Sequence, residues 1–139
     1  MYILDTNVIS EIKRGSRAPT QWIKGKASEI MFISVVVVSE LAKGIALKER
    51  SDMAAAARLA NWLATLQREY SGRTIQISEQ IAEVSGRFLA TRTRGVHDCQ
   101  IAATAYVHNL AVVTRNVVDF SDLPVDIVNP WNSNDFHEF

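Results

Sequence analysis

Short, largely apolar stretches alternate along the chain with longer segments whose apolar residues recur every three or four positions. The short stretches, over residues 2–4, 30–34, 74–77, 110–114 and 125–128, read as buried strands. The spacing predicts helices between them, over residues 6–14, 19–26, 36–50, 53–70, 78–94 and 97–109. Gly15 stops the first helix and Ser78 caps the fifth. Gly95 suits the left-handed position that follows a helix. Apolar strands separated by helices pair in parallel through right-handed crossovers and need cover on both faces. The predicted fold class is therefore α/β, in three layers. Open parallel sheets bind ligands at the carboxyl ends of their strands, near the point where strand order reverses. The residues just after the first and fourth strands are accordingly the ones to inspect.

Composition narrows the picture without changing it. The 139 residues are 47% hydrophobic with six Gly and three Pro, which excludes disordered, collagen-like and low-complexity classes. The length predicts one domain over residues 1–131, followed by a polar tail with scattered aromatics over 132–139 that either frays or lies across a partner. Cys99 is the single cysteine, and no basic-then-apolar leader opens the chain. The longest apolar run, over residues 30–38, falls far short of the ~20 residues a spanning helix needs. A reducing, cytoplasmic setting is expected, away from membranes.

Fifteen basic and fifteen acidic residues cancel, which removes the simplest argument for a nucleic-acid partner. The cancellation is uneven, however: the net charge is +4 up to Arg73 and −4 from Thr74 onward. Setting Asp5, Glu40 and Asp98 aside leaves +3. A mildly basic surface around a sequestered acidic centre fits those numbers, so the balance does not argue against a nucleic-acid partner.

Four positions carry candidate chemistry. Asp5 follows the first strand, where it serves either as a helix N-cap or as a ligand at the sheet edge. Glu40 shares a helical stripe with Val36, Val37, Lys43 and Gly44, so it is either partly enclosed or a surface partner of Lys43. Asp98 heads the stripe of Ile101, Ala102 and Ala105, and an acid on a core-facing stripe needs a partner. After the fourth strand, Asn116 offers a neutral oxygen and Asp119 a charge. Carboxylates converging within ~5 Å repel by about 3 kcal/mol per pair at an effective dielectric near 20, so cations or protons must neutralise them. The absence of a Cys/His pattern disfavours zinc, and an oxygen-only set suits Mg²⁺ or Mn²⁺. Such ions perform phosphodiester hydrolysis.

These residues fall in blocks that resemble a known family. Leu4-Asp5-Thr6-Asn7-Val8-Ile9-Ser10, Ser39-Glu40-Leu41 with Gly44, residues 98–105 (Asp98-Cys99-Gln100-Ile101-Ala102-Ala103-Thr104-Ala105) and Thr114-Arg115-Asn116-Val117-Val118-Asp119-Phe120 are similar to the PIN-domain nucleases. The likeness is strongest to the VapC and FitB toxins of bacterial toxin–antitoxin pairs, and Asn129-Pro130-Trp131 is similar to the FitB branch. The resemblance implies an α/β/α sandwich around a parallel five-stranded sheet, and Mg²⁺- or Mn²⁺-dependent endoribonuclease activity. It also implies a homodimer and inhibition by a VapB-like antitoxin, which carries the complex onto operator DNA. By position, Asp5, Glu40 and Asp98 take the principal acidic, metal-binding roles. Asn116 departs from the family, many of whose members have an acid there, and Asp119 is the candidate to supply the missing charge. Thr6, Asn7 and Thr114 would support the acids, and Arg115 would contact a phosphate.

Two other readings compete. The same fold with weak or absent catalysis, acting through its antitoxin complex, is kept open by Asn116. A phosphatase or phospho-receiver also places Asp after the first strand. The former needs an acid at position 7, where the chain has Asn7, and the latter needs an Asp after a central strand, where Ile77 leads into Ser78-Glu79. His97 reads as part of a helix start and Cys99 as a packing residue, because adjacent helical side chains diverge. The helix with Leu59, Trp62, Leu63 and Leu66 reads as core plus dimer surface.

Overall fold

Strands β1 (Tyr2–Leu4), β2 (Met31–Ser34), β3 (Thr74–Ile75), β4 (Ala111–Val113) and β5 (Ile127–Val128) pair in parallel throughout, in the order β3-β2-β1-β4-β5. The structure, a computed structural model, describes residues 1–132. The predicted tail therefore lies outside the described residues, apart from Asn132. Successive side chains on a strand point to opposite faces. Ile3 and Leu4 on β1, and Val112 and Val113 on β4, are all buried, so both faces of the sheet are covered. That observation makes the fold the three-layer α/β/α arrangement of the sequence reading. Burying each such side chain contributes about 1.5–3 kcal/mol.

The covering helices are α1 (Thr6–Arg14), α2 (Arg17–Lys24), α3 (Val35–Glu49), α4 (Met53–Glu69), α5 (Glu79–Leu89) and α6 (Val96–His108). Helices α3 and α4 pack together, as do α5 and α6. Gly15 ends α1 at φ 85°, its N–H donating to the carbonyls of Glu11 and Ile12, as the sequence predicts. Ser78 caps α5 through a hydrogen bond from the Ile81 N–H.

Several boundaries differ from expectation, among them α2, which lies two residues earlier, and β5, which starts two residues later. A 3-10 turn over Ser28–Ile30 delays β2 by one residue, and β3 is only two residues long. Helix α5 ends at Leu89 rather than near residue 94. There the Thr91 hydroxyl takes the Phe88 carbonyl (2.7 Å), offering the backbone an alternative to another helical turn. Gly95 consequently does not close a helix in the left-handed region. It opens α6 as the N-cap, at φ −66° and ψ 143°.

Strand β1 is the centre of the order. The chain leaves it toward β2 on one side and returns to β4 on the other, so the topological switch point lies between β1 and β4. The Asp5 N–H donates to the Val113 carbonyl (2.9 Å), joining the carboxyl ends of the two strands there. Among the described residues, no helix is long and apolar enough to cross a membrane.

Candidate active site

Asp5 leaves β1 directly into this crevice and is 4% exposed. Asp5 is the N-cap of α1 and also reaches across the crevice to the segment after β4. Its Oδ1 accepts from the Thr6 N–H (2.8 Å) as the N-cap of α1, while Oδ2 accepts from Thr114 Oγ1 (2.8 Å) and Asn7 Nδ2 (3.0 Å). Thr114, fully buried after β4, is the hub of the arrangement. Its hydroxyl also accepts from the Asn116 N–H (3.0 Å) and from Asn7 Nδ2 (3.3 Å). The Asn7 carbonyl oxygen in turn accepts from the Arg115 N–H (3.1 Å). Burial, more than the neighbouring Glu40 charge, raises the Asp5 pKa against the pull of these hydrogen bonds.

Helix α3 delivers Glu40. Val36 and Val37 are buried in the core, and the Glu40 side chain one turn on is 32% exposed. Its Oε1 accepts from Thr6 Oγ1 (2.9 Å), and Oε2 stands 3.8 Å from His97 Nδ1. The surface pairing with Lys43 is not formed. His97, read from the sequence as a helix start, thus lies beside a candidate site acid. Sequence spacing carries no signal for that contact, which depends on how α3 and α6 pack.

Asp98 sits in the first turn of α6, half-buried, at the head of the stripe formed by the buried Ile101, Ala102 and Ala105. A Cβ at Gly95 would lie 3.4 Å from Asp98 Oδ2, in ordinary van der Waals contact. Unlike Asp5, the Asp98 carboxylate accepts no hydrogen bond among the described residues. Desolvation, followed by the charges of Asp5, Asp119 and Glu40, pushes its pKa up to about 6. Asp98, Glu40, His97, Val96 and Gly95 line an open depression of about 370 Å³.

The two remaining candidates differ in kind. Asn116 is exposed, enters the network only through its backbone N–H, and its side chain caps nothing. Asp119 closes the 3-10 turn Val117–Asp119, and its charge reaches Asp98. Arg115 is exposed, with its guanidinium 4.7 Å over the Trp131 ring. Cys99 is fully buried as a packing residue, with burial raising its thiol pKa.

The donor set is oxygen-only and anionic, the chemistry of a hard divalent cation. Among the described residues no three His, Cys, Asp or Glu side chains are gathered tightly enough to cage an ion between them. The arrangement instead fits an ion that takes one or two carboxylates and keeps several waters, as Mg²⁺ does. Asp98, a half-buried acid with no donor among the described residues and facing other acids, is the ligand such an ion would find.

Sequence and structural comparisons agree on the family and the fold. The PIN domain family matches residues 2–125. The VapC ribonuclease Y4jK of Sinorhizobium fredii is 33% identical over 147 residues, covering 94% of this chain and 98% of that relative. Toxin FitB of Neisseria gonorrhoeae is 31% identical over 141 residues, covering 95% and 99%. The structure of FitAB bound to a DNA fragment superposes with a TM-score of 0.85 at 27% identity, over 95% of this chain and 96% of that one. The chain belongs to the PIN-domain family and, within it, with the VapC and FitB toxins.

Proposed function

We propose that the protein is the toxin of a bacterial type II toxin–antitoxin pair, a cytoplasmic endoribonuclease dependent on Mg²⁺ or Mn²⁺. The observation that carries this reading is Asp98: a carboxylate with no hydrogen-bond donor among the described residues, half-buried and facing the charges of Asp5, Asp119 and Glu40. Asp5 and Asp98 would hold the ion, with Glu40 as a further ligand or as the base that takes a proton from the attacking water. A bound divalent cation supplies two things here, a lowered pKa for water and charge stabilisation at the leaving oxygen. The chain's own residues do the rest. The Thr6 hydroxyl holds Glu40 Oε1, which leaves Oε2 at the depression. Thr114 and Asn7 orient Asp5. Exposed Arg115 contacts a phosphate of the RNA, and Asp119 rather than Asn116 supplies the fourth negative charge.

The relatives' names and the DNA-bound FitAB complex support the biological setting. In it the protein is a homodimer silenced by a VapB-like antitoxin, and reaches operator DNA only through that partner. Incubation of RNA with the purified protein, with Mg²⁺ or with EDTA, tests the activity. Cleavage is expected with the ion only, and is lost in Asp5→Asn and Asp98→Asn proteins that remain folded. Undiminished cleavage by either variant would overturn the site. Asn116 favours one competing reading, a weakly active module that works through its antitoxin complex. Intact RNA after prolonged incubation with Mg²⁺ or Mn²⁺ would select it.

A further inference from the structure

The connection over residues 90–95, between α5 and α6, buries a charge that the site described above does not use. The Arg94 side chain is 1% exposed, a rare placement for a guanidinium. Its Nη1 donates to the Asp119 carbonyl (3.0 Å) and to Asp122 Oδ1 (2.9 Å). Nη2 donates to Asp122 Oδ2 (2.5 Å) and to Thr91 Oγ1 (2.9 Å). The two bonds to Asp122 form a bidentate fork, the geometry in which arginine adds orientation as well as energy. Arg92 reinforces it, with Nε to Asp122 Oδ2 (3.1 Å) and Nη2 to the Val118 carbonyl (2.7 Å). Phe120 and Leu123 anchor the same segment from the apolar side.

Arg94 Nε is buried with no hydrogen-bond partner among the described residues, so the side chain is aimed by its Nη1 and Nη2 contacts. What the fork supplies is a distance. Arg94 stands four residues before Asp98 at the mouth of α6 and grips the backbone of Asp119 itself. One side chain therefore relates the two acids, which lie on segments far apart in sequence.

We infer that Arg94, with Asp122 as its counter-charge, is a positioning residue that holds Asp119 against Asp98 and thereby sets the affinity of the site for a divalent ion. The inference rests on the metal-site reading above. Its test is Mn²⁺ binding by the full chain without RNA, followed by the electron paramagnetic resonance of free Mn²⁺. Asp122→Asn keeps the side chain's shape and breaks the ion pair at a position 41% exposed. It is expected to weaken Mn²⁺ binding about tenfold, the lower end for losing a supporting partner of a metal ligand.

The deciding measurement is a double-mutant cycle. Because Asp122 acts through Asp119, adding Asp122→Asn to Asp119→Asn is expected to cause no further loss. A merely structural role would make the two losses add, and additive losses overturn the inference, as does unchanged Mn²⁺ affinity in the Asp122→Asn protein. Should that variant fail to fold, Arg92→Ala removes only the outer contacts, and a smaller loss that vanishes in the Asp119→Asn background is expected. Asp98→Asn separates the two levels. Undiminished Mn²⁺ binding there overturns the metal site itself, whereas lost binding there with additive losses in the cycle overturns the clamp alone.

Discussion

Replacing Asp98 by Asn removes the charge that the fold tolerates least. The folded carboxyl titrates at about 6 rather than the ordinary 3.8. At 1.36 kcal/mol per unit, that difference is roughly 3 kcal/mol. Water screens a half-buried group, which reduces the figure to about 1–1.5 kcal/mol. The sign follows from linkage. A pKa raised by folding means the native state binds the proton more tightly, so Asp98 stabilises the fold fully below its unfolded pKa. That contribution is lost as the pH rises from about 4 through about 6. In EDTA near neutral pH, the Asp98→Asn protein is therefore expected to be more stable than the parent, by roughly 3–6 °C in midpoint for a domain of this size. Around pH 4.5 the gain should shrink to less than half as the parent carboxyl takes up its proton. Mg²⁺ reverses the order: the parent gains about 2.7 kcal/mol at a hundredfold excess over Kd, and the variant gains nothing. Thermal unfolding at two pH values, with EDTA or Mg²⁺, reads all four cases. A variant no more stable than the parent in EDTA at neutral pH would refute the electrostatic reasoning.

Two further outcomes follow from the same geometry. Thr114→Val keeps the shape of the hub but leaves Asp5 Oδ2 and the Asn116 N–H each one partner short, so urea denaturation should show a loss of about 1–3 kcal/mol. Cleavage by that protein should fall roughly 10- to 100-fold. Arg115→Ala should weaken RNA binding and lower the slope of log affinity against log salt by about one, measured by fluorescence anisotropy. A slope that stays the same removes Arg115 from the phosphate contacts.

What the sequence made legible was whatever depends on short-range periodicity. Asp98 could be placed because Ile101, Ala102 and Ala105 follow it at helical spacing, and Asp5 because an apolar strand ends just before it. What stayed hidden depends on which distant segments meet. The Glu40–Thr6 bond spans 34 positions, and the bonds from Arg94 to Asp119 and Asp122 span 25 and 28. The same bonds contribute to the early end of α5: the Thr91 hydroxyl takes the Phe88 carbonyl locally, and partners beyond β4 hold Arg92 and Arg94 outside the helix. His97 was hidden for a related reason, since its neighbour Glu40 arrives on another helix. Glu40 itself stands between two readings in the sequence, because a carboxylate near both a lysine and two valines has no single implied partner.

The bond from Thr114 to Asp5 spans 109 positions, and it has a consequence for synthesis. At about 5–20 residues per second, the ribosome takes roughly 5–20 s to travel from one to the other. Until then the first acid of the site lacks its buried hydroxyl partner, and β1 lacks the neighbour that completes the crevice. A growing polypeptide therefore lacks a complete crevice for most of its translation, and the crevice closes only as β4 docks beside β1.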